Sequence, residues 1–194
     1  MKPWRKRIAV YSLLTAVIVG ISWYFYWDAT RTKEPQVIYV STPPDAVERM
    51  LEMAQVTKDD VVYDLGCGDG RIVVAAAKKY GCRAVGVELR AEAVEDARRN
   101  VAEAGVEDLV EIRQADILTT DFSDATVVAM YLLPDFNVRL IPKLNQLPPG
   151  SRVVSYTFKM PGVPPKEKAQ WKEGANERTV YLWTTPIPAP VPKP

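Results

Sequence analysis

The sequence predicts an α/β domain, a doubly wound and mostly parallel sheet of seven strands with a C-terminal antiparallel hairpin, preceded by one N-terminal transmembrane helix. Three observations carry this. From residue 61 onward, short β-branched runs alternate with longer runs of helical periodicity, the pattern of repeated βα units. A glycine-rich turn, Asp64-Leu65-Gly66-Cys67-Gly68-Asp69-Gly70, joins the first of these strands to the helix after it. Near the N-terminus, Ile8–Trp27 is an uncharged apolar run of about 20 residues, the length that crosses a bilayer as a helix.

Residues 1–30 read as the anchor. Lys2, Arg5, Lys6 and Arg7 precede the span, and Trp23-Tyr24-Phe25-Tyr26-Trp27 crowds its far end, where aromatics favour the lipid–water interface. Those bulky residues occupy the place where a signal peptide needs a small-residue cleavage site, so the anchor is expected to stay on the chain. A polar linker, 31–38, leads to the domain at 39–185. Thr42 is placed to cap a helix with Pro43 and Pro44 in its first turn. Val47, Met50, Leu51 and Ala54 follow at the spacing of one buried helical face.

Strand Val61–Leu65 precedes helix Arg71–Tyr80, and strand Ala84–Val87 precedes helix Ala91–Ala104, whose Val94, Ala97, Val101 and Ala104 share a face. Strand Leu109–Arg113 leads to Ala115-Asp116. Strand Thr126–Leu132 leads to helix Asp135–Leu147, and strand Arg152–Phe158 follows the turn Pro148-Pro149-Gly150. Lys168–Lys172 and Thr179–Trp183 flank Glu173-Gly174-Ala175-Asn176 as a hairpin. The tail at 186–194 carries proline at alternate positions and is expected to be extended and mobile.

Composition excludes several chemistries. The chain has no histidine, which removes a histidine base, a Ser-His-Asp triad and a histidine-ligated metal. Cys67 and Cys82 have no metal-ligating company and read as free thiols; no metal is expected. A net charge of +1 offers no broad basic field, so no nucleic-acid partner is expected.

The glycine turn is the most informative segment. Glycines at 66, 68 and 70 keep side chains from holding a ligand off the backbone. The spacing departs from the dinucleotide fingerprint, and Asp64 just ahead of it repels a phosphate and suits a cationic ligand. Glu88 ends the next strand-like run, the position from which a carboxylate accepts hydrogen bonds from ribose hydroxyls. Together these residues resemble motif I and the acidic strand end of the class I S-adenosylmethionine (SAM) methyltransferases. The resemblance implies a Rossmann-like sheet and SAM as cofactor. It places Gly66, Gly68 and Gly70 under the methionine part, Asp64 toward the amino-acid and sulfonium side, and Glu88 at the ribose. Asp116 then matches the acid near the adenine amino group, Ile117 packs on the adenine, and the strand ending at Tyr131-Leu132 faces the methyl group and the acceptor.

Further blocks narrow the resemblance. Tyr39-Val40-Ser41-Thr42-Pro43-Pro44, Tyr63–Ile72, Tyr131-Leu132-Leu133-Pro134 and Arg152-Val153-Val154-Ser155 are similar to stretches of the small membrane-anchored lysine methyltransferases of ATP synthase c-subunit or adenine nucleotide translocase, and of their bacterial relatives. By that likeness, Tyr39 and Thr42 belong to a segment that covers bound SAM. Tyr131 and Tyr156 are the candidate catalytic residues, aromatics that attract a lysine ammonium by cation–π contact. Bacterial relatives often carry a His-Asp pair where this chain has Tyr156-Thr157. The Asn/Asp-Pro-Pro-Tyr/Phe sequence of many amino-methyltransferases is replaced by Met130-Tyr131-Leu132-Leu133-Pro134-Asp135, which argues against a nucleobase-amine acceptor.

The implied function is methyl transfer to a lysine ε-amine of a membrane-associated protein. A small-molecule methyltransferase acting on a lipid or quinone, and a non-catalytic SAM-binding scaffold, are the alternatives. The basic residues before the span would keep the N-terminus in the cytoplasm and push the domain out, whereas supply of SAM argues for a cytoplasmic domain.

Overall fold

The computed structural model describes residues 19–24, 26, 40–174 and 176–191. The chain divides into two units, 1–39 and 40–194. In the first, the described residues are helical and exposed. Among the described residues no helix is long and apolar enough to cross a membrane. Most of the expected span Ile8–Trp27, the linker and Tyr39 lie outside the described residues.

The second unit runs α1 (Pro44–Met53), β1 (Val61–Leu65), α2 (Arg71–Tyr80), β2 (Arg83–Glu88), α3 (Ala91–Ala104), β3 (Val110–Gln114), β4 (Val127–Met130), α4 (Pro134–Leu144), β5 (Arg152–Tyr156), β6 (Glu167–Glu173) and β7 (Asn176–Thr184). Its seven strands form one sheet in the order β3-β2-β1-β4-β5-β7-β6. Strands β1 to β5 pair in parallel, while β7 is antiparallel to both β5 and β6. The chain winds outward from β1 through β2 and β3, then returns to β4 on the other side. The reversal opens a crevice beyond the carboxyl ends of β1 and β4, where open α/β sheets bind ligands.

The faces of the sheet are covered unequally. Helices α1, α2 and α3 fill one side with Met50 and Leu51, Ile72 and Val73, Val94 and Val101. On the other side α4 contributes Leu140, Ile141 and Leu144, and non-helical segments supply Phe122, Met160, Val163 and Ile187. At the amino ends of the strands, buried Asp60 pairs with Arg152 and accepts hydrogen bonds from Thr126 Oγ1 (2.6 Å) and Thr57 N–H (2.8 Å), tying β1, β4 and β5 together.

Several sequence expectations are corrected. Thr42 does not cap α1: Pro43 is the capping residue, without a side-chain hydrogen bond, and Pro44 opens the helix. Strand β4 stops at Met130, opposite Leu65, where its partner β1 gives way to the glycine turn, and Pro134 then opens α4. Helix α4 ends at Leu144, and Asn145 turns its side chain outward to exchange hydrogen bonds with the Ile187 backbone (2.9 and 2.7 Å). That exchange also corrects the mobile tail. Ile187 is buried, and Val191 N–H donates to Gly162 carbonyl at 3.0 Å, so the proline-rich run is extended but docked as far as Val191.

Gly86, in the middle of β2, was not singled out by the sequence. A Cβ there would lie 2.7 Å from Cys67 Sγ and 2.9 Å from Ile112 Cδ1. The strand must be bare at this point for the glycine turn to pack across it. Gly86→Ala should therefore cost about 1–3 kcal/mol of stability through overpacking. Chemical denaturation is the measurement, and a second change, Cys67→Ala, should recover part of the loss by vacating the clash.

Candidate cofactor and acceptor site

The glycine turn is held by the strand beside it. Gly66 and Cys67 N–H both donate to the Val87 carbonyl (2.8 and 3.0 Å), and Gly70 N–H donates back to Cys67 carbonyl (2.9 Å). Gly66, Gly68 and Gly70 all have positive φ (84, 53 and 77), which side-chain-bearing residues rarely adopt. Space is short as well: a Cβ on Gly66 would approach Leu132 Cδ2 to 3.1 Å, and one on Gly70 would approach Ala97 Cβ to 3.2 Å. Backbone, not side chain, therefore lines the crevice, and the turn packs against Leu132, just past β4.

Three carboxylates gather around the turn. Asp64 sits on β1 opposite Gly86 and Ala129, only 3% exposed. Burial, reinforced by the charges of Asp69 and Glu88, pushes its pKa up to about 8. Glu88, also buried, accepts from Gly68 N–H through Oε2 (3.0 Å) and from Leu89 and Arg90 N–H through Oε1 (3.0 Å each). Asp69 is bound by the Arg71 guanidinium, whose Nη1 also donates to Thr42 carbonyl at 2.8 Å. The stretch before α1 is thereby fastened to the turn, which is how buried Thr42 joins the site: through its carbonyl.

Asp116 and Ile117 lie just past β3, beside Glu88, whose carbonyl accepts from Ala115 N–H (3.0 Å). Asp116 is exposed and uses one carboxylate oxygen to hold Leu118 N–H (2.8 Å); Ile117 is partly buried. Beyond β4, Tyr131 is half-buried. Its ring meets that of Tyr156 edge-on (centroids 4.8 Å apart, 70° between planes) and stacks on that of Phe158 (5.8 Å, 24°). Tyr156 is buried, which raises its phenol pKa.

The structure thus brings Thr42, Asp64, the three glycines, Glu88, Asp116, Ile117, Tyr131 and Tyr156 to one edge of the sheet. Four further residues belong with them. Arg71 fastens the Thr42 segment, and Asn100 Nδ2 donates to Asp69 carbonyl (2.9 Å). Leu89 stands 58% exposed next to Glu88, and Phe158 walls Tyr131. Arg71 adjoins the glycine turn and was within reach of sequence reasoning; Asn100 and Phe158 carry no sequence signal of this kind.

These features fit SAM. A positively charged sulfonium and ammonium suit a buried Asp64 with acidic neighbours, a ribose suits Glu88, and an adenine suits the apolar edges of Leu89 and Ile117. Fold and site define a class I SAM-dependent methyltransferase. More narrowly, the chain belongs to the ANTKMT methyltransferase domain family, whose profile matches residues 64–167. It is 47% identical over 151 residues to a protein-lysine N-methyltransferase of Saccharolobus islandicus (strain REY15A), covering 77% of this chain and 94% of that one. It is 32% identical over 162 residues to the ATP synthase c-subunit lysine N-methyltransferase of Mus musculus, covering 80% of this chain and 65% of that protein's length. Among solved structures, an RNA methyltransferase from Salinibacter ruber in complex with S-adenosyl-L-homocysteine superposes with TM-score 0.70 at 48% identity, covering 80% of this chain and 98% of that one.

Proposed function

We propose that the acceptor is a lysine ε-amine on a protein at or near a membrane. The carrying observation is the aromatic wall at the end of β4: half-buried Tyr131, fixed between Tyr156 and Phe158, adjoining the glycine turn through Leu132. The lysine methyltransferases among the relatives support this reading.

SAM supplies an electrophilic methyl group on a sulfonium. The chain's own work is to align the amine with it and to lower the cost of losing the amine's proton. From an unperturbed pKa of about 10.4, deprotonation at pH 7 costs roughly 4–5 kcal/mol. A partly desolvated channel reduces that cost because burial disfavours the ammonium. Tyr131 adds cation–π attraction while the amine is still charged. Holding the reacting atoms close and in line supplies several kcal/mol more. Tyr131→Ala should therefore lower the transfer rate by about 100-fold or more while changing SAM affinity little, since the ring stands on the acceptor side. Equal losses in both would place Tyr131 in the cofactor site instead.

Membrane attachment through Ile8–Trp27 completes the reading, since an anchor raises the effective concentration of membrane-bound acceptors. Protein from cells should stay in the membrane fraction after a carbonate wash, and removal of residues 1–30 should release it. Isolated membranes incubated with methyl-labelled SAM should yield label in protein, as methylated lysine by mass spectrometry. Label confined to lipid or quinone would transfer the assignment to a small-molecule acceptor, and label confined to RNA to a nucleic acid.

A further inference from the structure

The acceptor wall is built on a strained turn, and a buried polar clamp holds that turn. Thr157, next to Tyr156, has φ 64. A β-branched residue there is a backbone outlier, and such strain persists only where the surroundings enforce it. Phe158 N–H donates to Tyr156 carbonyl at 2.7 Å, closing a three-residue γ-turn about Thr157, while Thr157 N–H donates to Thr179 carbonyl of β7 at 2.8 Å. The turn throws Tyr156 and Phe158 onto two sides of Tyr131.

Two buried side chains converge on the carbonyl that follows. Ser155 Oγ donates to Phe158 carbonyl at 2.7 Å, and Asn137 Nδ2 donates to the same oxygen at 3.1 Å and to Ser155 Oγ at 3.4 Å. Both residues are 0% exposed. Asn137 lies in the first turn of α4, where its neighbours in the core are apolar. Its Oδ1 is buried without a hydrogen-bond partner among the described residues. An apolar residue at this position would avoid that cost, and the amide cannot turn over without setting an oxygen against the Phe158 carbonyl. The arrangement serves the carbonyl rather than the stability of α4.

We infer that Asn137 and Ser155 are positioning residues for the acceptor: they lock the γ-turn at Thr157 and so fix Phe158 as the third wall beside Tyr131 and Tyr156. The inference rests on the reading of the β4 end as the acceptor side. Among the described residues no hydrogen bond joins Asn137 or Ser155 to the glycine turn or to Glu88, so the clamp acts on the acceptor side and leaves the cofactor alone.

The test uses the full-length chain, with poly-L-lysine as acceptor and calorimetry for SAM. Asn137→Ala should lower kcat or raise KM for poly-L-lysine by about 10-fold or more, with SAM affinity unchanged. Amide hydrogen exchange at Thr157 and Phe158 should quicken at the same time. Ser155→Ala, a smaller change, should act in the same direction. Thr157→Gly, which takes positive φ without a Cβ penalty, should restore much of the activity lost in Asn137→Ala by removing the strain that the clamp holds. The clamp is overturned if both variants keep wild-type exchange and kinetics, if SAM affinity falls in step with transfer, or if Thr157→Gly brings no recovery. Wild-type protein that leaves poly-L-lysine unlabelled counts against the lysine acceptor, and amide exchange then judges the clamp by itself.

Discussion

Glu88→Ala is expected to weaken SAM binding by about 100-fold or more, because each hydrogen bond to a charged acceptor is worth about 1.5–3 kcal/mol and two ribose hydroxyls lose theirs. The loss has a second source. Glu88 Oε2 holds Gly68 N–H and Oε1 holds the amides of Leu89 and Arg90, so the carboxylate also shapes the turn that lies under the ligand. Glu88→Gln keeps an acceptor oxygen but sets an NH2 group against backbone donors, and should fall between wild type and Glu88→Ala. Calorimetry with SAM and with S-adenosylhomocysteine measures both, alongside a denaturation curve to separate ligand loss from unfolding. Affinity that survives Glu88→Ala intact would remove Glu88 from the ribose.

What was legible in the chain was local. Helix α3 could be read because Val94, Ala97 and Val101 recur at helical spacing, and all three are buried. The turn at 64–70 was legible because glycine is almost the only residue that accepts three positive φ values in so short a stretch. Illegible features depend on partners far along the chain. Gly86 looks like an indifferent strand residue until Cys67 is seen to fill the space where its Cβ would stand. The tail reads as mobile because its prolines forbid helix and central strand, yet Asn145 and Gly162 give it fixed partners. Asn137 is one polar residue on an amphipathic helix, and only the fold shows that it faces inward and meets Phe158. The helix-capping expectation for Thr42 failed because prolines at 43 and 44 already set the entry geometry of α1, leaving the Thr42 carbonyl for Arg71.

The second large effect is a pH dependence centred on Asp64. In the free protein its pKa stands at about 8, raised first by burial and then by the charges of Asp69 and Glu88, so the group is mainly protonated at neutral pH. A cation in the crevice favours the carboxylate and pulls that pKa back down. Between the lowered value and about 8, the complex therefore binds fewer protons than the free protein. SAM binding near pH 7 should release a fraction of a proton from Asp64, and affinity should rise with pH until it levels off above about 8. The ligand's own α-amino group, with a free pKa of about 7.7–8.0, also titrates in this range; its titration in free SAM is common to both proteins, whereas in the complex it is coupled to Asp64, so the difference between wild type and Asp64→Asn reports the pair. Calorimetry in buffers of different ionisation enthalpy reads the protons directly. Asp64→Asn should abolish the Asp64 share, bind SAM nearly as well as wild type at low pH and fall furthest behind above about pH 8. Stability should move the opposite way. A carboxyl whose folded-state pKa lies above its unfolded value stabilises the fold fully below the unfolded pKa, and that stabilisation is lost as pH rises through the folded one. The free wild-type protein should thus lose stability from about pH 4 toward pH 8, whereas Asp64→Asn, neutral throughout, should not lose this contribution and should melt at a higher temperature near neutral pH. A variant that is both less stable and unaltered in its proton release would show that Asp64 is a packing residue and that the charge facing the cofactor comes from elsewhere.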